Sequence, residues 1–107
     1  MNEINKPEIK EYTERVKDYL GDRLEKIIIY GSYARNEQLP GSDVDIAIIV
    51  TEKRKNDRKH VFELGKDFLL EKNIVFSPRV FEKEEFERKV KQGYGFYKNV
   101  YKEGIEV

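Results

Sequence analysis

There is no cysteine among the 107 residues, which excludes disulfides, thiolate zinc sites and cysteine nucleophiles. A single histidine, His60, can build neither a multi-histidine metal cage nor a histidine-paired helix motif. Net charge is also missing: 21 Lys and Arg balance 21 Asp and Glu. The chain therefore lacks the global positive field that steers a protein to nucleic acid without sequence preference, and nucleic acid is not expected as a direct substrate. Any anion site must be local. Long apolar runs are absent too. No stretch approaches the roughly 20 apolar residues of a membrane span, and the opening segment MNEINKPEIKEY has no apolar core of signal-peptide length. The expectation is a soluble, cytoplasmic protein with no membrane contact.

What is present is a modest apolar fraction, 38%, under a heavily charged surface, 39%. A chain of this length supports one core but not two, so residues 1–107 are expected to form a single domain. The apolar residues are concentrated. Residues 24–30, LEKIIIY, and 43–50, DVDIAIIV, read as strands by their β-branched content, and three consecutive isoleucines leave no polar face. Both strands are therefore expected in the middle of a sheet, covered on both sides.

Around this pair the chain reads as helix, strand, strand, helix, strand, helix, helix. Pro7 opens the first helix, Gly21 stops it, and Ile9, Tyr12, Val16, Tyr19 and Leu20 give it one apolar face. Residues 51–59, TEKRKNDRK, form a basic connection: a solvated loop, or a contact for phosphates or an acidic partner. A second helix, capped near Asn56 or Asp57, is expected to turn Val61, Leu64, Phe68 and Leu69 or Leu70 inward. His60 beside it is expected to be structural or exposed. Residues 73–81, NIVFSPRVF, read as a third strand whose second half Pro78 confines to a sheet edge or bulge. A charged helix anchored by Phe86 and Val90 follows, then a short aromatic helix around Tyr94, Phe96, Tyr97, Val100 and Tyr101, and an apolar tail.

The densest information lies in residues 27–50, IIIYGSYARNEQLPGSDVDIAIIV. Gly31 and Ser32 follow the first central strand, and residues 31–36 read as a turn leading into a short helical segment. A glycine there lets backbone amides approach a phosphate, the Ser32 hydroxyl can donate to the same anion, and Arg35 can pair with a polyphosphate from one turn further on. Ser42 closes the loop before the second strand. Asp43 and Asp45, two apart on a strand, point to one face and can converge on one or two Mg2+ ions. Each element alone has a bland explanation: a tight turn, an incidental arginine, two surface carboxylates.

Together, Gly31-Ser32, ten intervening residues and Asp43-x-Asp45 resemble the signature of the DNA polymerase β-like nucleotidyltransferase superfamily, and the GSYAR form resembles its minimal nucleotidyltransferase (MNT) members. The resemblance implies an α/β (α+β) nucleotidyltransferase fold, a small mixed β-sheet of three to four strands packed with helices. It implies transfer of a nucleoside monophosphate from ATP or another nucleoside triphosphate to a hydroxyl. Gly31, Ser32, Arg35 and Ser42 would hold the nucleotide, and Asp43 and Asp45 would hold Mg2+ and be the catalytic pair. Family members pair with small helical HEPN proteins as toxin and antitoxin, which makes such a protein the implied partner.

One feature departs from the pattern. The superfamily usually draws a third carboxylate from the next strand, and residues 73–78, NIVFSP, contain neither Asp nor Glu. This opens a second reading of the same fold: a catalytically reduced module that binds a partner, with or without nucleotide.

Overall fold

The computed structural model describes residues 6–37 and 43–107. Their elements run α1 (Pro7–Leu20), a 3-10 turn (Gly21–Arg23), β1 (Leu24–Tyr30), β2 (Val44–Val50), α2 (Asp57–Glu63), α3 (Lys66–Lys72), β3 (Phe76–Glu82), α4 (Lys83–Lys91), α5 (Gly95–Glu103) and β4 (Ile105–Glu106). The four strands form one mixed sheet in the order β3-β2-β1-β4. β1 is antiparallel to both β2 and β4, whereas β2 and β3 are parallel.

The two isoleucine-rich strands occupy the centre of the sheet, as their unbroken apolar runs require. Side chains alternate across a strand, so Ile27, Ile29, Ile46 and Ile48 face one core while Ile28, Ala47 and Ile49 face another. α1, α2 and α3 cover the first face through Ile9, Tyr12, Val16, Val61 and Phe68. α4 and α5 cover the second through Phe86 and Val100. Tyr12 stacks on Phe76 at 4.2 Å between ring centroids and donates its hydroxyl to the Val61 carbonyl at 2.6 Å. That bond satisfies the one polar atom the ring brings into the core.

Three details differ from the sequence reading. The second helix is two helices, broken at Leu64 and Gly65. Gly65 lies against the Tyr12 and Phe76 rings, where a Cβ would come within 3.1 and 3.3 Å, and the break lets Phe68 point inward. Leu69 and Leu70 consequently face outward rather than into the core, Leu70 being 85% exposed. The third strand starts at Phe76, not residue 73, because Asn73 takes a left-handed conformation (φ 56°) that caps α3. Pro78 does lie on an edge, since all of β3 is an edge strand.

At the C-terminal end, Phe96, Tyr97 and Val100 pack against the sheet, but Tyr94 and Tyr101 are exposed. The tail is not a loose end: Ile105 and Glu106 pair with Ile29 and Ile28 as β4. No described helix is long and apolar enough to cross a membrane.

Candidate functional site

β1 and β2 run antiparallel, so the end of one lies beside the start of the other. Tyr30 pairs with Asp45, and the chain turns at Gly31 directly over that carboxylate. Gly31 has φ +74°, a left-handed conformation, and a Cβ built on it would collide with Asp45 Oδ2. Two independent constraints thus demand glycine here: backbone handedness and the close approach of a carboxylate.

Residues 31–36 form a continuous turn rather than the expected helical segment. The Arg35 N–H donates to the Gly31 carbonyl at 3.2 Å and the Glu37 N–H to the Ser32 carbonyl at 2.8 Å. Among the described residues, the N–H groups of Ser32, Tyr33 and Ala34 donate to no backbone carbonyl. Tyr33 is buried and anchors the turn in the first core. A row of uncommitted amides beside a fixed anchor is the geometry that receives a phosphate.

Asp43 is exposed and Asp45 is half-buried. Burial, reinforced by the Asp43 charge, pushes the Asp45 carboxyl above the usual range, while Arg79 and Arg35 pull it the other way. Arg35 is shared between two carboxylates, with Nε 3.2 Å from Glu37 Oε2 and Nη1 3.7 Å from Glu103 Oε2. It thereby ties the turn to the end of α5, and these half-exposed pairs are weak enough for a phosphate to displace. Ser42 lies outside the described residues.

Arg79 has no counterpart in the sequence reading. The parallel register sets Ser77 beside Asp45 and Arg79 beside Ala47, so Ser77 and Arg79 share the face that carries Asp45. The guanidinium of Arg79 lies 4.9 Å from the Phe96 ring centroid and acts electrostatically on both Asp45 and Tyr30. Where the resemblance implies a third carboxylate, β3 brings a hydroxyl and a cation instead. Among the described residues, no three carboxylates or imidazoles cluster in a way that could hold a metal ion. The carboxylates of Asp43 and Asp45 are hard oxygen donors of the kind Mg2+ takes, and these two residues would hold such an ion.

A model of the nucleotidyltransferase domain matches residues 9–105. The chain belongs to this nucleotidyltransferase family. A Methanocaldococcus jannaschii protein named "Putative protein adenylyltransferase MJ0604" is 35% identical over 96 residues, covering 90% of each chain. A second protein of that organism, named "Putative protein adenylyltransferase MJ0141", is 32% identical over 76 residues, 70% of this chain and 77% of its own.

Among solved structures, a "putative nucleotidyltransferase from Sulfolobus solfataricus" superposes with a TM-score of 0.55 at 25% identity, over 92% of this chain and 75% of that one. A toxin-antitoxin structure with AMP-PNP gives a TM-score of 0.60 at 17% identity, over 91% of this chain and 70% of that one. At that identity the likeness is one of fold.

The contact between Gly31 and Asp45 makes a sharp test of the nucleotidyltransferase site. Gly31→Ala is expected to cost about 1–2 kcal/mol for the left-handed backbone and also to displace the Asp45 carboxylate. Gly93, at φ +81° with nothing near its missing Cβ, carries the backbone cost alone. Both variants should therefore lower the melting temperature, Gly31→Ala the more, while only Gly31→Ala weakens Mg-ATP binding measured by calorimetry. Equal nucleotide binding by the two variants would show that the apposition is incidental.

Proposed function

We propose that this nucleotidyltransferase moves AMP from Mg-ATP to a hydroxyl of a partner protein in the cytoplasm. The observation that carries this reading is the seating of Gly31 on Asp45, which places the amides of residues 32–34 and the carboxylate pair at one end of two adjacent strands. Asp43 and Asp45 would hold Mg2+, which when bound offsets phosphate charge and aligns the attacking and leaving oxygens. The turn amides and the Ser32 hydroxyl hold the triphosphate. Arg35 exchanges its carboxylate partners for phosphate oxygens.

In the reaction the acceptor oxygen bonds to the α-phosphorus as the bond to pyrophosphate breaks. The hydroxyl proton departs to solvent, and the geometry required is in-line. The protein-adenylyltransferase names of the relatives support AMP and a protein acceptor. The structural neighbours named as toxin-antitoxin assemblies support an antitoxin role opposite a small helical, HEPN-type partner.

The second reading, a module that binds nucleotide or partner without transfer, draws on Ser77 occupying the position beside Asp45. One experiment separates them. The protein is incubated with Mg2+, ATP labelled at the α-phosphate and the product of the neighbouring gene, and label on the acceptor is followed. Label incorporation supports the transferase. Saturable Mg-ATP binding with no incorporation at long times favours the reduced module, and no nucleotide binding at millimolar concentration overturns the site.

A further inference from the structure

The basic connection before α2 is not absorbed by the nucleotide site. Lys55, Arg58 and Lys59 converge with Phe62, Ser77 and Pro78 around a cleft of about 560 Å3 at the free edge of β3. All three cations are exposed, and among the described residues none of them forms an ion pair. Phe62, 51% exposed, adds an apolar wall. In a chain with no net charge, three unpaired cations on one side of a cleft are a local choice of sign.

The position of the cleft matters as much as its charge. Ser77 lines it and is also the register partner of Asp45 on the adjacent strand, one strand spacing of about 4.8 Å away. A ligand lying in the cleft is therefore separated from the carboxylate pair by a single edge strand. The loop that carries Lys55 is held rigidly. The buried Asp57 carboxylate accepts from the Arg54 N–H at 2.7 Å and from Arg23 at 2.8 and 3.0 Å, and the Lys53 N–H donates to Glu82 at 3.0 Å.

We propose that this cleft docks an acidic polypeptide segment of the acceptor, so that a hydroxyl flanking the segment reaches across Ser77 to the nucleotide. The inference rests on the transferase reading for its consequence but not for its binding surface. The cations supply attraction and orientation, and Phe62 packs against an apolar side chain within the segment. A nucleic acid would use the same cations, and it is an outcome of the test.

The probe is a fluorescein-labelled random copolymer of Glu and Tyr, with a Lys/Tyr copolymer and an oligothymidylate as controls. Fluorescence anisotropy is read against the intact chain and against Lys55→Gln/Arg58→Gln/Lys59→Gln, whose exposed side chains form no ion pair among the described residues. Glu/Tyr binding should weaken with added salt, and the triple variant should weaken it by at least about tenfold. Mg-ATP binding and the melting temperature should not change. Equal binding by the triple variant, or tighter binding of oligothymidylate than of the Glu/Tyr copolymer, overturns the proposal.

The two readings fail separately. Copolymer binding that depends on the three cations in a protein that binds no Mg-ATP removes the transferase and keeps the docking cleft. Mg-ATP binding with no copolymer binding removes the cleft and keeps the transferase.

Discussion

Asp45→Asn is expected to lower AMP transfer by at least about a hundredfold, since on the proposed function it removes one of the two carboxylates that would hold Mg2+, and even outer-shell changes at metal sites cost 10- to 100-fold. Asparagine keeps the shape of the side chain, so the Gly31 turn retains its seat and the loss can be assigned to charge. Stability should move the other way. Asp45 is half-buried and feels the charge of Asp43, and neutralising one of two like charges removes both repulsion and desolvation cost. The melting temperature of Asp45→Asn is therefore expected to equal or exceed that of the natural chain.

This opposition is the signature of a site that trades stability for function. A purely structural carboxylate would show the reverse, a lower melting temperature with unchanged nucleotide binding. Asp43→Asn provides the parallel measurement. Asp43 is exposed, so the same loss of transfer is expected with a smaller gain in stability. If both variants bind and transfer as the natural chain does, the carboxylate pair is not the metal site and the proposed function fails.

Much of the site was legible in the sequence because its parts are contiguous. Residues 27–50 contain both central strands and the turn between them, so one short stretch specifies which groups meet. The turn at Gly31 follows from local rules, while Asp43, expected as the first residue of the second strand, lies one residue before β2. Arg79 was not legible, since its place beside Asp45 depends on the register of a parallel pair joined by a long crossover, which no local pattern sets.

The missed elements share a cause. β4 is two residues long, too short for alternation to show, and exists only because Ile28 and Ile29 offer it a strand edge. The break between α2 and α3 answers to the aromatic stack of Tyr12 and Phe76, residues far away in sequence that require Gly65 to approach closely. Continuing the apolar periodicity through that glycine put Leu69 and Leu70 in the core, where tertiary packing does not allow them. Asp57 appeared in the sequence only as a helix cap, and its partners Arg23 and Tyr19 lie more than thirty residues earlier.

Asp57→Ala is expected to be more destabilising than any substitution at Gly31, Asp43, Asp45 or Asp67. The Asp57 side chain is fully buried and that of Arg23 is 14% exposed. The carboxylate accepts from Arg23, from the Arg54 N–H and from the Tyr19 hydroxyl at 2.9 Å. Removing it leaves the largely buried Arg23 guanidinium with the Glu52 carbonyl but no countercharge, a change that costs up to about 3–5 kcal/mol against a typical total of about 5–15 kcal/mol. At this chain length a loss of that size lowers the melting temperature by more than about 10 °C.

Asp67→Ala is the matched control. It also breaks an arginine pair, at 2.7 Å to Arg15, but Asp67 is 44% exposed and water can replace it, so a far smaller shift is expected. The pH dependence follows from the same contacts. Arg23, with the Arg54 N–H and the Tyr19 hydroxyl, holds the Asp57 carboxyl down to about 2, against an ordinary value of 3.8. A depressed acid stabilises the fold above its unfolded value and loses that contribution as it is protonated. The stability of the natural chain should thus fall between about pH 4 and pH 2, and Asp57→Ala should flatten that part of the curve.

The double change Arg23→Met/Asp57→Leu separates pairing from burial. Because an apolar pair of similar volume can match a buried ion pair, it should recover most of the stability lost in Asp57→Ala. It would still leave the Arg54 N–H and the 51–56 loop without their anchor. Binding of the acidic copolymer should then stay weak while the melting temperature returns, since Lys55 is positioned through that loop. Recovery of both together would mean that the ion pair stabilises the fold without shaping the cleft.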